Sequence, residues 1–134
     1  MNEITAYAKI LDYIGNNLIA NSAKSKAIFP IKNPDDSTKL NESISEISTL
    51  MRSHGECINM LNNIEAPDFI KREHENLVYE FLEYHEGTKE AFNSIDLLRK
   101  TINQTACERG LMRQKRAETN IVKICDEITN KFTE

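Results

Sequence analysis

The stretch Ile70 to Leu98, IKREHENLVYEFLEYHEGTKEAFNSIDLL, decides how the chain is read. Ile70, His74, Leu77, Phe81, Tyr84, Thr88, Ala91, Ile95 and Leu98 fall at alternating steps of four and three, a heptad seam held over four repeats. A strand would alternate at a step of two and would need a turn signal every ~8–12 residues, and neither is present. Prolines stand only at 30, 34 and 67, so nothing of that kind interrupts the chain from 68 onward.

Upstream, Glu65-Ala66-Pro67-Asp68 is a short turn in which Pro67 suits the first helical position and Asp68 complements the helix dipole. Before it, Leu40, Ile44, Ile47, Met51, His54, Ile58 and Leu61 make a second seam, widened by Leu50 and Ile64, which predicts a helix over about 37–64. Asp36 or Ser37 suits its N-cap. Ile4, Tyr7, Leu11, Ile14 and Leu18 mark a helix over about 2–23, and the two prolines in 24–36 leave a long connector. Downstream, Leu111, Gln114, Ala117, Ile121, Ile124, Ile128 and Phe132 form the last seam. Two breaks compete before it. Asn93-Ser94 is the earlier; the favoured one is Asn103-Gln104, where Thr105-Ala106-Cys107-Glu108 has the spacing of a capping box.

Four amphipathic helices must bury their stripes against each other, so the expected fold is all-α: one antiparallel four-helix bundle over 1–134. Ile, Leu, Val and Phe supply 33 of 134 residues, above the level of disordered chains and enough for a core. A charge of −4 argues against a dedicated nucleic-acid binder. No apolar run approaches the ~18 residues of a membrane span. Met1-Asn2-Glu3-Ile4 enters the helical pattern without a secretory signal, so the expected setting is cytoplasmic as written, or extracytoplasmic if the chain is a mature fragment. Cys57, Cys107 and Cys125 are odd in number and lack a CxxC, the pattern of reduced, buried thiols.

The candidate sites are few. Folding the second and third helices back about position 66 sets Cys57 level with His74 and His54 one turn below. Three nitrogen or sulfur donors could then surround a tetrahedral metal. The competing reading gives His54 and His74 structural hydrogen bonds that set register, and a Cys57/His74 catalytic pair is a further alternative. A di-iron bundle is excluded, because Met51, Lys71 and Leu82 stand where Glu-x-x-His would place glutamates. Cys107 to Arg113 has the C-x5-R spacing of cysteine phosphatases, but inside a predicted helix and without a preceding strand or histidine. P-loop, G-x-S-x-G and dinucleotide motifs are absent, so neither a cofactor nor an enzymatic activity is expected.

Charge is uneven. Residues 42–90 carry 11 acids and 4 bases, whereas 99–123 carry 7 bases and 2 acids. Glu73, Glu80, Glu83 and Glu90 share one helical face, and Arg109, Arg113, Arg116 and Lys123 share another. These stripes are expected to meet at a helix–helix interface, with an acidic protein partner for Arg109, Arg113 and Arg116, or nucleic acid, as the alternatives. Ala27-Ile28-Phe29-Pro30-Ile31 is an apolar pentamer in the connector. It either plugs an open end of the bundle or presents Phe29 and Ile31 as an anchor for a partner or a ligand.

Ile64-Glu65-Ala66-Pro67-Asp68-Phe69, with Lys71, His74, Leu77 and Ala91, resembles small helical-bundle domains of uncharacterised lipoproteins from low-GC Gram-positive bacteria. The resemblance covers about thirty residues and implies a bundle, with no known activity. The functional expectation is therefore a non-enzymatic bundle acting through a protein partner, in an accessory, regulatory or immunity-type role. The alternatives are a metal- or small-ligand-binding bundle and an extracytoplasmic lipoprotein-type domain. Self-association through an exposed helical stripe is left open.

Overall fold

A computed structural model describes residues 2–133. Four helices pack against each other: α1 (Glu3–Ile28), α2 (Ser37–Asn63), α3 (Lys71–Asn93) and α4 (Gln104–Thr133). The all-α class is as expected, with one small addition. Between α3 and α4 the two-residue strands β1 (Ile95–Asp96) and β2 (Thr101–Ile102) pair as a hairpin, Ile95 opposite Ile102. Among the described residues, no helix is long and apolar enough to cross a membrane.

The boundaries follow from capping chemistry. Asn2 Oδ1 accepts from the Thr5 N–H and Asp36 Oδ1 from the Lys39 N–H, each satisfying a free donor of a first turn. α1 runs to Ile28, five residues past its expected end. Pro30 bars only its predecessor from the helical region, and Phe29 accordingly turns to an extended φ of −99° and ψ of 143°. The connector is therefore residues 29–36, shorter than the predicted 24–36.

Both predicted breaks near 100 are used. Ser94 closes α3, its hydroxyl donating to the Ala91 carbonyl, and Asn103 caps α4, its side chain accepting from the Ala106 N–H at 3.1 Å. The Thr105 capping box is not the start of the helix, because Asn103 already occupies the capping position two residues earlier. Leu98, expected on the seam, lies in the hairpin loop and is 97% exposed. In that loop Asp96 Oδ1 accepts from the Leu98 and Arg99 N–H groups.

The seams are buried as the spacing predicts. Tyr7, Leu11, Ile14 and Leu18 of α1 join Leu61, Leu77, Phe81, Tyr84, Ala117, Ile121 and Ile128 in the main core. A second cluster closes the end from which both long connections leave. There Ile28 and Phe29 pack with Ile47, Leu50, Ala91 and Cys107, and Ile31, Ile95 and Ile102 lie against them. Phe29 is 7% exposed. The anchor reading of Phe29 is thus corrected: Ile28 and Phe29 plug the end, because burying them contributes more than exposing them, while Ile31 is half-buried against the cluster.

α3 and α4 form the most extensive interface, and glycine makes it possible. A Cβ on Gly87 would stand 2.7 Å from Gln114 N and from Gly110 O, and one on Gly110 would stand 2.6 Å from Ala91 N and from Gly87 O. The two backbones touch where no side chain intervenes.

Candidate functional site

The expected metal constellation does not assemble. His54 on α2 stacks edge-on against Tyr84 of α3, centroids 4.7 Å apart, and near His85 at 5.9 Å. His74 instead stands toward the other end, its Nδ1 sharing a 2.8 Å hydrogen bond with the Tyr7 hydroxyl. Cys57 packs into the main core. Among the described residues no three His, Cys, Asp or Glu side chains converge to hold a metal ion. The reason is register. Residues 64–67 and the 3-10 turn Asp68–Ile70 separate α2 from α3, so His54 comes level with Tyr84, and His74 is carried away from it.

The two histidines behave differently in consequence. His74 has a hydrogen-bond partner within the bundle, the Tyr7 hydroxyl. His54 is 2% exposed, and among the described residues neither of its ring nitrogens, nor His85 Nδ1, has a hydrogen-bond partner. Burial, and secondarily His85, lowers the His54 pKa to about 3, so the ring stays neutral. The thiols are equally quiet. Burial pushes Cys57 and Cys125 up to about 11 and also raises Cys107. Cys107 lies in the first turns of α4, and Arg113 is engaged with α3, so C-x5-R forms no phosphate loop.

The charged stripes meet within the protein. Arg113 donates to Glu83 (2.5 Å to Oε2), Arg109 to Glu90, and Lys131 to Glu73 (2.6 Å). Arg116 is exposed and Arg109 is two-thirds exposed. Arg109 and Arg113 pair internally, and exposed ion pairs of this kind stabilise the fold by only about 0–1 kcal/mol each.

The surface that the seams did not predict lies between α1 and α4. The two helices touch far less than α3 and α4 do. Ser25 donates to Gln114 Oε1 at 3.2 Å, and Gln114 Nε2 donates to Thr88 Oγ1 at 2.7 Å, a buried chain linking three helices. Beside it opens a cavity of about 250 Å³ walled by Phe29, Tyr84, Leu111 and Gln114, with the exposed Lys26 and Lys115 on its rim. It shares Ser22, Lys26 and Glu118 with a second depression of about 560 Å³ along Leu18, Ile19 and Val122. That one shares Leu18, Ile19 and Val122 with a third, of about 240 Å³, which ends at Asp12, Asp126 and Thr129. Together they make one groove along α1 and α4. From Asp12 to Lys26 it spans about 21 Å at ~1.5 Å per residue.

Ile19 is 70% exposed and Val122 51% exposed at the middle of this groove. Both are large apolar residues outside their helix's predicted seam, and that was the available signal in the sequence.

No family model, no curated protein and no solved structure matches the chain.

Proposed function

We propose that the chain is a non-enzymatic, up-and-down antiparallel four-helix bundle that acts by binding a helical face of a protein along the α1/α4 groove. An accessory, regulatory or immunity-type role fits that action. The antiparallel arrangement is supported by the order of contacts: Glu73 meets Lys131, Glu83 meets Arg113 and Glu90 meets Arg109, while Tyr7 packs on Phe132 and Ser25 bonds Gln114.

The observation that carries the binding reading is the placement of Ile19 and Val122, exposed where the underlying seam is least filled. Burying an Ile or Val side chain stabilises a complex by roughly 1.5–3 kcal/mol. The small residues Gly15, Ser22 and Ala23 beside them let a second helix approach closely.

A photo-crosslinking side chain at Ala23 in the native host, followed by reconstitution from purified components, tests this. The expected result is a complex that the Ile19→Asp/Val122→Asp variant weakens at least tenfold. A reconstituted complex indifferent to both substitutions overturns the groove as the contact surface. Crosslinking to no protein, itself included, overturns the binding function.

A further inference from the structure

We infer that the helical face bound by the α1/α4 groove is the same face of a second copy of this chain, in a two-fold symmetric pair. The inference rests on the protein-binding reading above and adds the identity of the partner.

The argument is the distribution of charge. Among the described residues, five charged side chains line the groove: Asp12 and Lys26 from α1, and Lys115, Glu118 and Asp126 from α4. The two aspartates stand at one end and the two lysines at the other. On α1 the midpoint between Asp12 and Lys26 is residue 19; on α4 the midpoint between Lys115 and Asp126 falls between residues 120 and 121. Ile19 occupies the first, and Val122 lies next to the second. The groove thus has Ile19 and Val122 at its centre, Glu118 one turn from Val122, and net charge of opposite sign at its two ends.

A contact between identical chains must be self-complementary, because each residue that touches a partner residue is touched by its equivalent in return. A two-fold axis through the Ile19/Val122 centre, perpendicular to the groove, reverses one copy along the other. Lys26 and Lys115 of each copy then face Asp12 and Asp126 of its mate, and the four apolar side chains cluster on the axis. Glu118 lies one turn inside Lys115, beside Ser22 and Lys26 of its own chain. A two-fold running along the groove would set lysine on lysine and aspartate on aspartate, so the charge pattern selects the reversed arrangement. The surface ion pairs on α3 and α4 lie on the far side of α4 and do not compete for these residues.

Analytical ultracentrifugation of the purified chain from about 1 to 200 µM decides it. The expected result is a concentration-dependent doubling of the 15.4 kDa mass. Ile19→Asp/Val122→Asp should be monomeric with unchanged helical circular dichroism, since both sites are solvent-exposed. A Lys26→Glu/Lys115→Glu chain and an Asp12→Lys/Asp126→Lys chain should each dimerise at least tenfold more weakly. Mixed in equal amounts they should pair with each other, which also establishes that both are folded. A monomer throughout the range, or dimers unaffected by the charge changes and their mixing, overturns the inference. Groove-dependent binding of a different protein by such a monomer leaves the proposed function standing.

Discussion

α4 meets α3 on one side and α1 on the other, and the two seams differ in how closely the helices approach. Toward α3, Gly110 faces Gly87 and backbone rests on backbone, with Arg109, Arg113 and Lys131 bridging the rim to glutamates. Toward α1, apolar side chains share the main core, Tyr7 rests on Phe132, one buried polar link joins Ser25 to Gln114, and an open groove runs beside them. A helix packed closely on one neighbour has a fixed position. Its opposite face can then remain incompletely covered without loss of the fold, and incomplete cover is what a docking surface requires.

The sharpest way to break this comparison is one substitution made in both seams. Gly110→Ala forces a methyl against the Gly87 carbonyl and the Ala91 amide, so helices α3 and α4 must part. It should lower unfolding free energy by about 3 kcal/mol or more, since overpacking against backbone has no rotamer to relieve it. Gly15→Ala in α1 meets nothing within 4 Å and should raise stability by roughly 0.5–1 kcal/mol through helix propensity alone. Urea denaturation of the two variants measures both. Equal effects of the same sign would mean that the seams do not differ as described.

Acid should act on a third seam, between α2 and α3. The folded-state pKa of His54 is depressed to about 3 from 6.5, so the unfolded chain takes up the proton first. Its contribution to stability is whole above pH 6.5 and is lost as pH falls toward 3, by up to about 1.4 kcal/mol per pH unit. At about pH 4.5 the loss should reach roughly 2–3 kcal/mol, read as the fall in unfolding free energy that His54→Leu removes. At neutral pH that variant should be more stable than wild type by about 1–2 kcal/mol, because it deletes two buried polar atoms without partners. An unchanged acid profile in His54→Leu would put the sensitivity elsewhere.

Gln114 tests the open seam from inside. Gln114→Ala leaves the Ser25 and Thr88 hydroxyls without this partner and should lower stability by about 1–2 kcal/mol. Amide exchange should rise in the second half of α1 while the α3/α4 contact keeps its protection. The smallest effect is expected at the visible ion pairs. Arg113→Ala should change stability by no more than about 1 kcal/mol, and less in high salt. A larger loss would give the α3/α4 seam an electrostatic basis in place of the glycine contact.

Much of this architecture was legible in the residues. Tyr7, Ile14, Leu61, Leu77, Phe81, Ile121 and Ile128 are buried because apolar side chains at three- and four-residue steps share one face of any helix. The complementary stripes Glu83/Glu90 and Arg109/Arg113 were visible for the same reason. The end of α1 was misplaced because Pro30 and Pro34 marked a loop without marking which residue begins it. The hairpin at 95–102 was hidden because Ile95 and Leu98 continued the heptad spacing of α3 by coincidence.

The site was hardly legible at all. A fold-back at residue 66 sets Cys57 level with His74 and His54 one turn below, but the 3-10 turn before α3 displaces one helix along the other. Nor could Gly87 be matched to Gly110, or Ile19 to Val122, by reading either segment alone. Periodicity is a property of one helix, carried by a few consecutive residues, and the sequence alone therefore determined which faces are buried. Axial register and the closeness of approach depend on how side chains from distant segments interlock. Only the tertiary structure decided which histidines meet, where two backbones touch, and which seam stays open.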